Sequence, residues 1–208
     1  MGFRLSVLAL PGKWSIDQLV RLQVCGTEQL GEIEVDEALY PSERPSVIEV
    51  GGYTCVFWFG FYERFVTGKE DPELEQRLLE SIANNSAYYF GLVSTVNLYA
   101  LIAWQNGKRI RRLMGWSEEL NSDDGPPLPQ ELSERARFRV ELVDGLPRFH
   151  DKKTREVLTH DEVGESFVLA ATAAVFGGPL DRSEVLDELP EKFPEYETWE
   201  EHRARIKG

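Results

Sequence analysis

"LYALIAWQNGKRIRRLMGW", Leu98 to Trp116, decides the fold. From Leu98 to Trp104 the run is apolar on both parities of a strand, which predicts an interior strand with both faces covered. Asn106-Gly107 then predicts a two-residue hairpin, because a type I′ turn needs positive φ at both central positions. Tight closure sets a register in which Trp104 lies opposite Arg109, Ile102 opposite Arg111, and Leu101 opposite Arg112. A returning strand that reads Lys-Arg-Ile-Arg-Arg is not expected to be buried on both faces, so it belongs at or near a sheet edge, where charge discourages edge-to-edge association. Arg109 is expected to stack on Trp104. A second reading stays open: arginine forks suit bidentate contacts, so Arg109, Arg111 or Arg112 would hold an anion or carboxylate. The acidic stretch that follows, "SEELNSDDGPPLP" from Ser117 to Pro129, reads as a turn-rich loop whose Asp123 and Asp124 neutralise these arginines.

Upstream, Phe3 to Leu10 reads as a buried strand closed by Pro11-Gly12, followed by a helix capped by Ser15 with Ile16, Leu19 and Val20 on one face. Residues 26 to 46 are acidic and broken by Gly and Pro, and read as irregular with a short edge strand at Glu32 to Val35. "VIEVGGYTCVFWFGFYERF" reads as two β-rich runs joined at Gly51-Gly52. Asp71-Pro72 starts a helix that runs to about Asn84 with Leu74, Leu78 and Ile82 on one face. "AYYFGLVST" is the strand before Leu98.

Downstream, residues 137 to 143 alternate as a strand, and Asp144-Gly145 turns it into "LPRFH". Thr159 and Glu162 form a capping box for a long helix stopped by Gly177-Gly178-Pro179, with Val163, Phe167, Ala170, Ala171 and Ala174 as its packing stripe. The charged tail from Asp181 reads as two short helices folded back on the rest. The expectation is an α+β protein: a mainly antiparallel sheet packed by helices over residues 1–178, with a helical C-terminal appendage over 179–208.

Composition bounds the function. The chain has 208 residues, 42% of them hydrophobic, and a net charge of −13, so it is expected to fold on its own core. That charge disfavours nucleic acid and anionic membranes and favours encounter with a basic protein. No stretch approaches the roughly 20 apolar residues of a membrane span. The start reads as a strand rather than a signal peptide or myristoylation site, and two cysteines are too few for a disulfide scaffold, so a cytoplasmic location is expected.

Common catalytic patterns are missing: there is no Gly-x-Ser-x-Gly elbow, Walker A loop or Gly-x-Gly-x-x-Gly fingerprint. His150-Asp151 and His160-Asp161-Glu162 are the one suggestive metal cluster, but the second group fits the first turn of a capped helix, so neither metal nor cofactor is expected. Cys25 and Cys55 read as core residues. Trp58, Tyr62 and Trp116, if solvated, are natural anchors of a protein interface, since exposed Trp and Tyr are enriched in binding hot spots.

Tyr99, Trp104, Gly107, Arg112, Gly125, Leu128, Pro129 and Glu131 form a pattern: a strand ending in Trp, an Asn-Gly-Lys turn, an Arg-bearing strand and a Gly-x-Pro-Leu-Pro-x-Glu loop. This pattern, with the opening "MGFRLSVLALPG", resembles a family of uncharacterised bacterial domains. The resemblance implies a bacterial cytoplasmic α+β domain and carries no catalytic residue with it. Some similar-looking acidic, aromatic-rich proteins are immunity proteins, which bind and neutralise a toxin. The leading expectation is therefore a non-catalytic protein-binding protein whose acidic, aromatic surface meets a basic partner. The alternative is an enzyme or small-ligand domain with an anion-holding arginine pocket near residues 98–116.

Overall fold

The computed structural model describes residues 4–40, 43–67, 71–116, 119–144 and 146–207. Strand β1 (Arg4–Pro11) is buried from Leu5 to Leu10, and helix α1 (Ile16–Arg21) follows it, capped by Ser15 as expected. Where an irregular stretch with a short edge strand at Glu32 to Val35 is expected, the chain forms β2 (Gln29–Glu34), an edge strand that starts earlier and ends one residue sooner, and then α2 (Val35–Leu39). Almost every residue of β2 is exposed, so no alternation announces it; its partner strand comes from the far end of the chain. The Gly51-Gly52 hairpin joins β3 (Ser46–Val50) to β4 (Tyr53–Phe57). The aromatic run beyond Phe57 turns helical as α3 (Gly60–Phe65), burying Phe61 and Phe65. Helix α4 (Pro72–Ile82) buries Leu74, Leu78 and Ile82, and its cap Asp71 accepts from the Leu74 N–H at 2.9 Å.

Strands β5 (Ser86–Val93), β6 (Leu98–Gln105) and β7 (Lys108–Trp116) form a meander. The acidic stretch read as a loop supplies β8 (Glu119–Asp124), which pairs with β7. Its polar residues suit a sheet edge, where propensity yields to pairing. Helix α5 (Pro129–Arg135), the hairpin β9 (Phe138–Val143) and β10 (Leu146–Asp151), β11 (Val157–Leu158) and the long helix α6 (His160–Phe176) follow. Gly145, the second residue of the expected Asp144-Gly145 turn, lies outside the described residues. The buried stripe of α6 runs through Val163, Phe167, Val168, Ala171 and Val175, while Ala170 and Ala174 are only half-buried. The tail carries α7 (Ser183–Leu186), β12 (Lys192–Tyr196) and α8 (Trp199–Lys207), a strand between the two expected helices.

Nine strands form one antiparallel sheet in the order β2-β12-β3-β4-β1-β5-β6-β7-β8, and β11-β10-β9 form a second, smaller one. The α+β expectation, an antiparallel sheet packed by helices with a C-terminal helix, describes this molecule. One face of the large sheet packs against α6, α2 and the small sheet; the other packs against α1, α3 and α4. The continuous apolar runs of β1 and β6 are explained by this, because each contributes to both cores. No described helix is long and apolar enough to cross a membrane.

The hairpin register departs from expectation in one informative place. Trp104 does face Arg109, but a bulge at Ile110 shifts the ladder, so Ala103 faces Arg111, Ile102 faces Arg112 and Leu101 faces Leu113. A one-residue slip moves side chains to the other face of a sheet. Arg111 is thereby delivered to the face that carries α5, and Arg112 to the side of α3.

Candidate functional site

Strand β7 presents different chemistry on its two faces. On the inner face Arg111 is buried, with its side chain at 0% exposure, and so is its partner Glu131 on α5. The guanidinium donates from Nε and Nη2 to the Glu131 carboxylate at 2.9 and 2.8 Å, and from Nη1 to the Asp124 and Gly125 carbonyls at 3.1 and 3.2 Å. Asp123 adds an ion pair at 2.6 Å. Burial works against the charge, but these carboxylates outweigh it and hold the Arg111 pKa above its ordinary value. Glu131 also accepts from the Leu128 N–H at 2.9 Å, so one carboxylate caps α5 and neutralises β7. The hydrogen-bonding capacity of Arg111 is therefore committed within the protein, which removes it as an anion holder. Of the expected neutralising pair, Asp123 acts through its carboxylate and Asp124 through its backbone carbonyl.

On the outer face, Tyr62 from α3, Val66 just after it, Leu98 from β6, and Arg112, Met114 and Trp116 from β7 line a groove of about 470 Å³. Trp116 is 54% exposed. Tyr62 is half-buried and stacks on Phe59 at 5.3 Å, and burial raises its hydroxyl pKa, so it remains a neutral donor. Arg112 lies along the groove wall with Nε 3.1 Å from Met114 Sδ. Three of the expected site residues, Tyr62, Arg112 and Trp116, are thus brought together from positions fifty residues apart or adjacent only through β7.

The other expected residues lie elsewhere. Trp104 is fully buried against Phe65, and its indole N–H donates to Glu75 at 2.6 Å. Arg109 pairs with the same carboxylate at 3.6 Å instead of stacking on Trp104. Trp58 is buried, donates to the Glu43 carbonyl at 3.0 Å and is covered by the Arg64 guanidinium. These three serve packing.

A second cavity, about 190 Å³, lies on the inner face beside the Arg111 cluster, between β7, α6 and the β9–β10 hairpin. Its lining includes Tyr99, Arg135 and His160, none of which the sequence marks as site residues. His160 reads from sequence as the first residue of a helix, which it is; that its ring enters a cavity depends on how α6 lies across β6. The two histidine groups do not share a site: His150 Nε2 meets Glu141 at 3.1 Å, whereas His160 Nδ1 meets the Tyr99 hydroxyl at 3.2 Å. Asp151 is committed to the turn after β10, accepting from Lys153 and Thr154 N–H groups and from Arg137. Among the described residues no group of His, Cys, Asp and Glu is placed to hold a metal ion; the side chain of Asp161 lies outside that description.

Both cysteines are buried. Burial first, and Glu197 second, push the Cys25 thiol up to about 12, and burial pushes Cys55 higher still, so neither is a thiolate at neutral pH. No family model, curated protein or solved structure matches this chain.

Proposed function

We propose that this chain is a non-catalytic binding protein for a basic protein partner, acting in the cytoplasm in the manner of a bacterial immunity protein that occludes a toxin. The observation that carries the reading is the exposed Trp116 beside Tyr62, Met114 and Arg112 in one groove. Large rings with a polar edge, a deformable thioether and an arginine are the chemistry of interface hot spots. The net charge of −13 supplies complementarity to a basic surface and steers its approach. The buried, protonated thiols and the internally committed Arg111 support the non-catalytic side of the reading.

The test is capture of a partner on the tagged full-length chain, followed by affinity measurement at low and high salt. One stoichiometric basic protein is expected, and Trp116→Ala or Tyr62→Ala should weaken it about tenfold or more while leaving the thermal midpoint nearly unchanged. Association should slow as salt rises. A complex indifferent to both substitutions, or strengthened by salt, overturns the reading.

A further inference from the structure

We propose that the inner cavity, beneath the β9–β10 hairpin, is a binding site for a small monocarboxylate with an apolar body. The site is distinct from the Trp116 groove and independent of the protein-binding reading.

Three observations converge. The first is an apolar chamber. Leu113, Val140, Phe149, Val163 and Phe167 wall most of the 190 Å³. That is room for roughly six waters at about 30 Å³ each, and smaller than the pockets of drug-sized ligands. A single ring or short alkyl chain with its headgroup is the size that fits.

The second is a pair of unpartnered polar atoms on this lining. His160 is 6% exposed and its Nε2 is buried with no hydrogen-bond partner; the same holds for Nε of Arg135. Folded proteins seldom leave buried polar groups unpaired, and both residues that carry such an atom line this cavity, where a ligand can supply an acceptor. The Tyr99 hydroxyl lies 3.2 Å from His160 Nδ1; in the arrangement where it donates to Nδ1, the ring N–H is at Nε2 and that atom is a donor. An N–H from imidazole and an N–H from guanidinium match the two oxygens of a carboxylate. Asp123 on the same wall does not repel the incoming charge as an isolated acid would. It is paired with Arg111 at 2.6 Å and with Arg135 at 3.4 Å.

The third is that the polar end is built. The Tyr99 ring lies in a slot between Gly115 of β7 and Gly164 of α6, and a Cβ at either glycine would collide with it. Arg135 lies over the Phe167 ring, with Cζ 4.6 Å from its centroid. Val140 of the hairpin lines the chamber while remaining 56% exposed, so the chamber is open at that wall.

The experiment titrates the full-length chain with benzoate, phenylacetate and hexanoate, following the His160 ring resonances by NMR together with thermal stability. Saturable movement of the His160 signals is expected with at least one of the three. Benzyl alcohol should bind at least tenfold more weakly than benzoate, and His160→Gln and Arg135→Gln should each weaken the best carboxylate about tenfold. Arg135 is partly solvated, so its variant reports even if His160→Gln fails to fold. The proposal is overturned by any of three results: benzyl alcohol binds as well as benzoate, carboxylate binding is indifferent to the arginine substitution, or none of the three acids moves His160 saturably.

Discussion

Arg111 and Glu131 have fully buried side chains, and each satisfies the other. Such a pair is costly to break from one side, because without Glu131 the buried guanidinium loses its bidentate partner at Nε and Nη2 and keeps only Asp123 and two carbonyls at Nη1. Glu131→Ala should therefore lower unfolding free energy by about 3–5 kcal/mol in urea titrations. Replacing both residues, as Arg111→Met with Glu131→Leu, should recover most of that loss. If the double variant is no better than the single one, the pair is not the unit of stability. The sequence displayed both residues, and the resemblance even included Glu131, but their pairing was not legible. Nothing local distinguishes Arg111 from Arg109 or Arg112 until the bulge at Ile110 assigns them to different faces. Nor does the sequence separate Trp116, which is exposed, from Trp58, which is buried, since both read as anchors on the same terms.

At the scale of elements, the bulge and the loop after β8 fit each other. Gly125 has φ of +79°, and a Cβ there would collide with the Ile110 carbonyl at the bulge, so it meets two constraints at once. Gly107, in the hairpin turn, has φ of +70° but open space around it. Gly107→Ala should cost about 1 kcal/mol, the price of the left-handed conformation alone. Gly125→Ala should cost at least about 2 kcal/mol, strain plus collision, read as a larger fall in thermal midpoint. Equal losses at the two sites would mean that the loop does not press on the bulge. The elements with strong local signals, such as α4 with its Asp71 cap and α6 with its capping box, are found where expected. β8, which the sequence presents as an acidic loop, and β2, of which it shows only the edge segment from Glu32, are exposed or polar and exist because a neighbouring strand pairs with them.

At the scale of the whole molecule, the tail is tied into the sheet. β12 inserts between β2 and β3, and Phe193 is fully buried against Phe57 at 5.2 Å. Glu197, just beyond it, accepts from Thr27 and Glu28 N–H groups, from Arg205 and from His202, so one carboxylate joins the start of β2 to α8. The Arg205 guanidinium above all, opposed by burial and aided by the Glu28 N–H and His202, holds its carboxyl at about 2 against an ordinary 4.5. A carboxyl depressed in the folded state adds stability above its unfolded value and loses it as pH falls through the folded one. The clamp should hold fully above about pH 4.5 and weaken progressively towards pH 2, a contribution of at most about 3 kcal/mol. Urea midpoints measured across that range should fall for the natural chain and fall less steeply for Glu197→Gln; parallel slopes would exclude Glu197 as the acid-sensitive group.

By itself, the sequence determined what depends on neighbours along the chain: the capped helices, the Asn-Gly hairpin, the doubly covered central strand, the α+β class and the acidic balance. Only the tertiary structure decided which arginine is buried, that the tail completes the sheet, and that Tyr99, Arg135 and His160 surround one cavity. The physical reason is range. Caps, turns and periodicity act over a few residues, whereas burial of a charge, pairing of an edge strand and an unpartnered ring nitrogen are properties of groups that meet only when distant segments pack.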